Sequence, residues 1–324
     1  MKNSELTNAI KGANIHKIVG TYIRTIIKPG MSLKNLVILI EDKIKELTIF
    51  DTNNPIDKGI GFPIGVSVNN CAAHYTPNFE EEDYLLKEDD IIKIDYGVHF
   101  NGTIIDSAFS VHFNPKYDQF INISKDITNY GVSLCGPDAV LGDIGRDIEE
   151  FIKSKEIEID NKIYDIKIMR DLTGHMISNY KIHAGKAVPN VAINYPIRMN
   201  PFEFYAIEPF ITTGNGISFS KEPKSHFMLN CTDPKIISKL KGEEKNYFNI
   251  INNNYFTLPF CQRWLYELYP TLNHNNLLDK LEKKQILNSY PPLYDINNSI
   301  ISQFEHTIFI KENGIVNLTK NEFY

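Results

Sequence analysis

Lys93-Ile94-Asp95-Tyr96-Gly97-Val98-His99-Phe100-Asn101-Gly102-Thr103-Ile104-Ile105-Asp106 is the stretch on which the fold turns. Asn101-Gly102 is the strongest short-range signal for a two-residue type I′ hairpin, because both central residues of that turn need positive φ. With this turn Phe100 faces Thr103, every cross-strand pair sums to 203, and Gly97 pairs with Asp106. Side chains alternate along a strand, so Asp95 and Asp106 share one face as diagonal neighbours, their Cα atoms roughly 7–8 Å apart. Like charges this close repel, and a cation, a proton or open solvent must offset the cost. The pair reads either as ligands for one or two metal ions or as ordinary solvated acids, and the hairpin alone does not choose.

Outward from the hairpin, residues 4–28 carry apolar positions at helical spacing, from Leu6 and Ile10 to Ile23 and Ile26, until Lys28-Pro29-Gly30 stops them. Ser32 reads as an N-cap for a second helix from Leu33 to about Leu47. Residues 51–59 read as a polar loop, and Ile64-Gly65-Val66-Ser67-Val68 as a strand. Residues 118–135 and Leu141 to about Lys155 are helical in pattern, and Lys162 to Ile168 is strand-like. Further strand-like runs occupy 204–212 and 301–310. Between them, about 233–287 is mostly helical and polar, with Trp264 near its centre, and reads as an insertion in a mixed α+β body. No linker rich in Pro, Gly or Ser divides the chain, so 1–324 is expected to be one catalytic domain.

Composition narrows the function. A formal net charge of −6 lacks the basic footprint of general nucleic-acid binding. Four scattered cysteines, none in a C-x-x-C spacing, suggest a reducing cytoplasmic setting rather than a disulfide framework or zinc ribbon. No apolar leader follows Met1, and no apolar run reaches the roughly 18–20 residues of a membrane span. There is no H-E-x-x-H helix, G-x-S-x-G elbow or phosphate-binding loop, and Gly214-Asn215-Gly216 reads as a turn.

Other residues join the aspartates as candidates. Glu208 in Tyr205-Ala206-Ile207-Glu208-Pro209-Phe210 and Glu305 in Gln303-Phe304-Glu305-His306-Thr307 are lone acids in strand-like, aromatic-rich surroundings. Burying a carboxylate there is costly unless it is paired or binds a cation. His74, His175 and His183 are candidates too, and His74 and His183 lie beside small residues and turns, which leaves room for a substrate. His16, His99, His112, His226, His274 and His306 read as packing or surface residues.

In order along the chain, Phe62-Pro63, Asn69-Asn70-Cys71-Ala72-Ala73-His74-Tyr75-Thr76-Pro77-Asn78, Lys93-Ile94-Asp95-Tyr96-Gly97, Ile104-Ile105-Asp106, Ile182-His183-Ala184-Gly185-Lys186, Tyr290-Pro291-Pro292-Leu293 and Gln303-Phe304-Glu305-His306-Thr307 resemble the methionine aminopeptidases of type 2, in their eukaryotic form. The resemblance runs from about residue 4 to Tyr324. It implies the pita-bread α+β fold, with pseudo-two-fold αβ halves and a type 2 helical insertion at about 233–287. It also implies two divalent metal ions per chain (Co, Mn, Fe or Zn, an identity the sequence does not determine), held by Asp95, Asp106, His175, Glu208 and Glu305. Asp106 and Glu305 would bridge the ions. The implied reaction is attack by metal-bound hydroxide on the Met-Xaa peptide bond of nascent proteins. Glu208 would carry the proton, His183 would stabilise charge on the carbonyl oxygen, and His74 would contact the substrate near the scissile amide. Phe62, Ile182, His226, Pro259 and Tyr290 would form the methionine pocket, which takes His226 out of the packing group. Fumagillin-type inhibitors would act at His74.

This chain departs from its relatives in places. The long charged N-terminal extension of animal relatives is absent, so contacts made by that arm, such as ribosome association, are not carried over. Thr173 stands before Gly174-His175 where eukaryotic relatives usually have Asn, and Asp171 adds a charge nearby; both bear on substrate contacts. A monomer is expected, with neither membrane nor specific nucleic acid as partner. Two other readings are a catalytically dead pita-bread protein that binds RNA or ribosomes, and a prolidase or aminopeptidase P. Retention of the whole ligand set speaks against the first. The short stretch before Gly61 speaks against the second, whose members usually carry a large extra N-terminal domain.

Overall fold

Helix α1 (Lys2–Ile26) and helix α2 (Leu33–Thr48) form where the apolar spacing places them. Ser32 caps α2, its side chain accepting from the Asn35 N–H, which the first helical turn leaves unpaired. The computed structural model describes residues 2–322; Met1, Phe323 and Tyr324, and with them the expected end of the family resemblance, lie outside the described residues.

Strands β1 (Lys58–Ile60), β2 (Gly65–Val68), β3 (Cys71–Ala73), β4 (Ile91–Phe100) and β5 (Thr103–His112) follow. β4 and β5 form the expected hairpin in the expected register, Gly97 opposite Asp106, with Asn101 at φ 48° and Gly102 at φ 76°. β1 and β2 pair with β4. The polar loop expected over 51–59 is therefore shorter than its sequence suggests. Lys58–Ile60 extends along Val98–Phe100 and satisfies an edge that would otherwise be unpaired. Val19 and Ile23 of α1 and Leu36 and Ile40 of α2 share one buried core with Ile92, Ile94, Tyr96 and Phe109 of the sheet.

The second half repeats this plan. Helices α3 (Asp118–Ser133) and α4 (Leu141–Ile152) cover strands that come from far along the chain. β6 (Glu156–Ile159) and β7 (Lys162–Asp165) make a separate hairpin. Then come β8 (Lys167–Ile168), β9 (Gly174–Ile177), β10 (Ala187–Val188), β11 (Phe204–Ile207), β12 (Phe210–Thr212), β13 (Phe219–Ser220) and β14 (His226–Leu229). The C-terminal part adds α5 (Pro234–Ile237), α6 (Gly242–Asn254), β15 (Phe260–Cys261), α7 (Gln262–Leu268), α8 (His274–Lys283), β16 (Leu287–Tyr290), β17 (Leu293–Tyr294), β18 (Ile301–Gln303), β19 (His306–Ile310) and β20 (Ile315–Asn317). One sheet runs β10-β9-β11-β19-β20 and another β18-β12-β8. Two helix-covered antiparallel halves make the α+β architecture.

The runs 204–212 and 301–310 are each two strands, not one, and Glu208 and Glu305 sit in the breaks rather than inside strands. Pro209 has no N–H to give to a ladder, so pairing cannot continue past Glu208. The chain crosses there from one sheet to the next.

The helices of the insertion build their own core around Phe248, Ile251, Leu265, Leu278 and Leu281. A buried ion pair ties that core to α2. Glu41 accepts from Arg263 Nη2 (2.5 Å), Arg263 Nη1 (3.1 Å) and Trp264 Nε1 (2.8 Å). Removing one partner of such a pair leaves a buried charge alone, so Glu41→Ala is expected to cost about 3 kcal/mol in urea unfolding, with its earliest loss of protection in α7 by hydrogen exchange.

Candidate active site

Asp106 and Glu305 are far apart in sequence and meet because side chains of one half bind backbone of the other. Ser107 Oγ donates to Glu305 O (2.5 Å), and Thr307 Oγ1 donates to Asp106 O (2.5 Å) and accepts from Asp106 N (2.8 Å). The Glu305 N–H donates to Ala108 O (3.0 Å). These bonds stitch β5 to the break between β18 and β19, so the carboxylate of each half faces that of the other.

The register of the second half makes a further carboxylate pair. Ile207 lies opposite His306 and Phe210 opposite Gln303, so Glu208 and Glu305 hold facing positions in the interrupted ladder between. His175, on β9, pairs with Ala206 of β11. Its Nε2 stands 3.3 Å from Glu208 Oε1 and 3.4 Å from Asp106 Oδ2. Ligand atoms of Asp106, His175 and Glu305 all lie within 4.8 Å of one another, and all three residues are buried. Gln303 reaches into the same group, its Nε2 3.3 Å from Glu208 Oε2 and 3.5 Å from Glu305 Oε2. Sequence reasoning gave Gln303 no role. Its spacing of two residues before Glu305 was the available signal, and it needed the strand direction to be read.

The protein's own charges are badly balanced here. Burial, then the charges of Asp106 and Glu208, push Asp95 well above the usual carboxylate range. Burial and its three acidic neighbours do the same to Glu305. Burial also raises Glu208, outweighing the hydrogen bond and charge of His175. For His175 burial acts downward, but Asp106 and Glu208 outweigh it and lift the imidazolium to about 10. Asp95 Oδ1, Glu305 Oε1 and His175 Nδ1 are buried without a hydrogen-bond partner among the described residues. Four converging carboxylates and an imidazole, with orphaned buried oxygens, are a donor set suited to divalent cations rather than to a packed core.

A cavity of about 310 Å³ opens over this cluster. All five expected ligands line it, together with His74, His183, Phe62, Ile182, His226, Pro259 and Tyr290. The His183 ring stands edge-on to His175 at 4.4 Å, and Tyr290 lies 5.8 Å from His74 and 6.4 Å from His183. Gly97 makes room for Phe62, since a Cβ there would lie 2.4 Å from the Phe62 ring. His74 sits at φ 61°, a left-handed conformation that a β-substituted residue holds only against strain. Ser225 helps hold it: its Oγ donates to His74 O (2.9 Å) and contacts His226 Nδ1 (2.9 Å). Nothing in the sequence singled out Ser225. Among the histidines first read as packing residues, His16 is one; it stacks on Tyr96 at 3.9 Å and bonds the backbone oxygens of Tyr96 and Ser107.

The fold and this cluster define a metallopeptidase of the pita-bread class. The profile of metallopeptidase family M24 matches residues 8–227. A protein of Encephalitozoon hellem named methionine aminopeptidase 2 is 40% identical over 322 residues, covering 98% of this chain and 88% of that one. Among solved structures, a methionine aminopeptidase from Thermotoga maritima superposes with a TM-score of 0.64 at 20% identity, over 98% of this chain and 97% of that one. A thermophilic Arx1 superposes with a TM-score of 0.82 at 16% identity, over 99% and 92%. At such low identities the two structures show the fold alone. The chain belongs to metallopeptidase family M24. Among the described residues no helix is long and apolar enough to cross a membrane.

Proposed function

We propose that the protein is a dinuclear metal-dependent aminopeptidase that removes the N-terminal methionine from nascent polypeptides in the cytoplasm. The observation that carries this reading is the convergence of Asp95, Asp106, His175, Glu208 and Glu305 under a cavity walled by Phe62, Ile182, His226, Pro259 and Tyr290. The reading takes 1–324 as a single monomeric catalytic domain, with the helical insertion at about 233–287 inside it.

In this reading Asp95, Asp106, His175, Glu208 and Glu305 would hold two divalent ions. When bound, they would supply Lewis acidity and lower the pKa of a coordinated water. The protein's own groups do the rest. Glu208 would take a proton from the attacking water and return it to the leaving amine, from a carboxylate that lines the cavity beside His175. His183 opens onto the cavity; burial, then the neighbouring His175 and His74, hold it below the ordinary histidine value, so it faces the scissile carbonyl as a neutral hydrogen-bond donor. Burial, then His175, depress His74 to about 4, which leaves a neutral imidazole beside the amide. A neutral, accessible His74 also fits attack on a fumagillin-type epoxide.

Release of free methionine from a Met-Ala-Ser peptide, by protein reconstituted with Co²⁺, Mn²⁺ or Fe²⁺, tests the reading; no release with any of them overturns it. His183→Ala is expected to lower kcat about 100-fold while bound metal stays at the wild-type level. A variant found empty of metal would instead make His183 a ligand.

A further inference from the structure

Five acids line the cavity, and Asp171 is the one that the metal cluster does not use. It sits at the exposed rim, just before the segment that carries His175. Its carboxylate is held in place. Oδ2 accepts from both the N–H (2.9 Å) and the hydroxyl (2.7 Å) of Ser218. The backbone beneath it is pinned as well, with Arg170 N donating to Gly216 O (2.8 Å). That turn is anchored in turn by the buried Asp295, which accepts from Thr212 Oγ1 (2.9 Å), Asn215 N (3.0 Å) and Gly216 N (3.0 Å).

The charge is held but not neutralised. No lysine, arginine or histidine among the described residues lies within ion-pair distance of Asp171. Arg170, the adjacent residue, pairs with Glu149 at 2.7 Å, and Lys221, three residues beyond Ser218, stands over the rings of Tyr294 at 4.2 Å and Phe219 at 5.3 Å. The residues that flank Ser218 in the chain are exposed and apolar, Ile217 at 59% exposure and Phe219 at 43%. Phe219 lies on β13, which pairs with β17, and Leu293 of β17 lines the cavity. A peptide leaving the cavity on this side meets an oriented carboxylate flanked by apolar surface. A long aliphatic side chain with a cationic head matches that surface, its stem on Ile217 and its head at Asp171.

We propose that Asp171 selects substrates carrying lysine or arginine within the first three residues beyond the scissile bond. The inference rests on the aminopeptidase reading above and adds a preference that the metal site and the methionine pocket do not supply. A unit charge pair a few ångströms apart in water changes binding about fivefold, and the effect weakens as salt screens it.

The test compares kcat/KM of the metal-loaded protein on Met-Ala-Lys-Ser, Met-Ala-Glu-Ser and Met-Ala-Ser-Ser, and on the same charges one residue further along. The expected lysine-to-glutamate ratio is about fivefold or more at low salt, compressed at high salt. Asp171→Asn should bring the ratio close to one, and Asp171→Glu should restore most of it. The neutral peptide is the common reference, so a general loss of activity divides out. A wild-type ratio near one, or a ratio unchanged in Asp171→Asn, overturns the assignment while leaving the aminopeptidase reading standing. Failure to cleave even the neutral peptide overturns both.

Discussion

Asp106→Asn is expected to lower kcat/KM for Met-Ala-Ser on the order of 1,000-fold, about 4 kcal/mol of transition-state stabilisation, and to lose bound metal in the same preparation. Asparagine keeps the shape of the side chain and removes its charge. The bonds that hold this segment to Thr307 use the backbone N–H and O of Asp106, so they survive the change. What is lost is the carboxylate placed between His175 and Glu305. The metal-free variant should melt close to the metal-free wild type, because the like charge it removes beside Asp95 and Glu305 is set against the lost contact of Asp106 with His175 at 3.4 Å. That pairing of results separates loss of a ligand from misfolding. Kinetics, metal analysis by atomic emission and melting in EDTA read the three quantities. Wild-type metal content in Asp106→Asn would remove Asp106 from the site.

The contrast between the two carboxylate pairs shows what a sequence can carry. Asp95 and Asp106 are joined by a two-residue turn, and Asn101-Gly102 states both the turn and its register, so their shared face follows from counting. Glu208 and Glu305 face each other through an equally regular register, but no turn joins their strands. Their pairing is set by tertiary packing, and only the family resemblance placed them together. The break at Glu208 is legible in part, since Pro209 forbids an uninterrupted ladder, but no such residue marks the break at Glu305. Gln303 and Ser225 act by orienting neighbours that are distant in sequence, and no local pattern marks such a residue. The hydroxyl stitches of Ser107 and Thr307 belong to the same class: short polar side chains in buried strands, whose partners lie about two hundred residues away.

Stripping the protein of divalent metal is expected to abolish methionine release and to lower the melting temperature by an amount that grows with pH. The direction follows from the groups in the cluster. Asp95, Glu208 and Glu305 are raised above the ordinary carboxylate range, and His175 is raised to about 10. A group whose folded pKa lies above its unfolded value binds more protons in the folded chain across the window between the two. Stability therefore falls as pH rises through that window. For the carboxylates the fall begins near the unfolded value of about 4, and His175 carries it from about 6.5 up to about 10. The metal-free protein thus loses stability steadily between about pH 5 and pH 8, as like charges are left without protons. Divalent ions act in the opposite sense, since binding expels those protons and tightens as pH rises. At a free metal concentration about a thousand times Kd the stabilisation is about 4 kcal/mol, which for a chain of this size corresponds to about 6 °C in Tm. The gap between metal-loaded and EDTA-treated melts should approach that value near pH 8 and shrink toward pH 5, and Asp106→Asn should show little gap at either. A gap that stays constant or widens toward acid would mean that the ions are held elsewhere, because only ligands that surrender protons on binding make the difference grow in this direction.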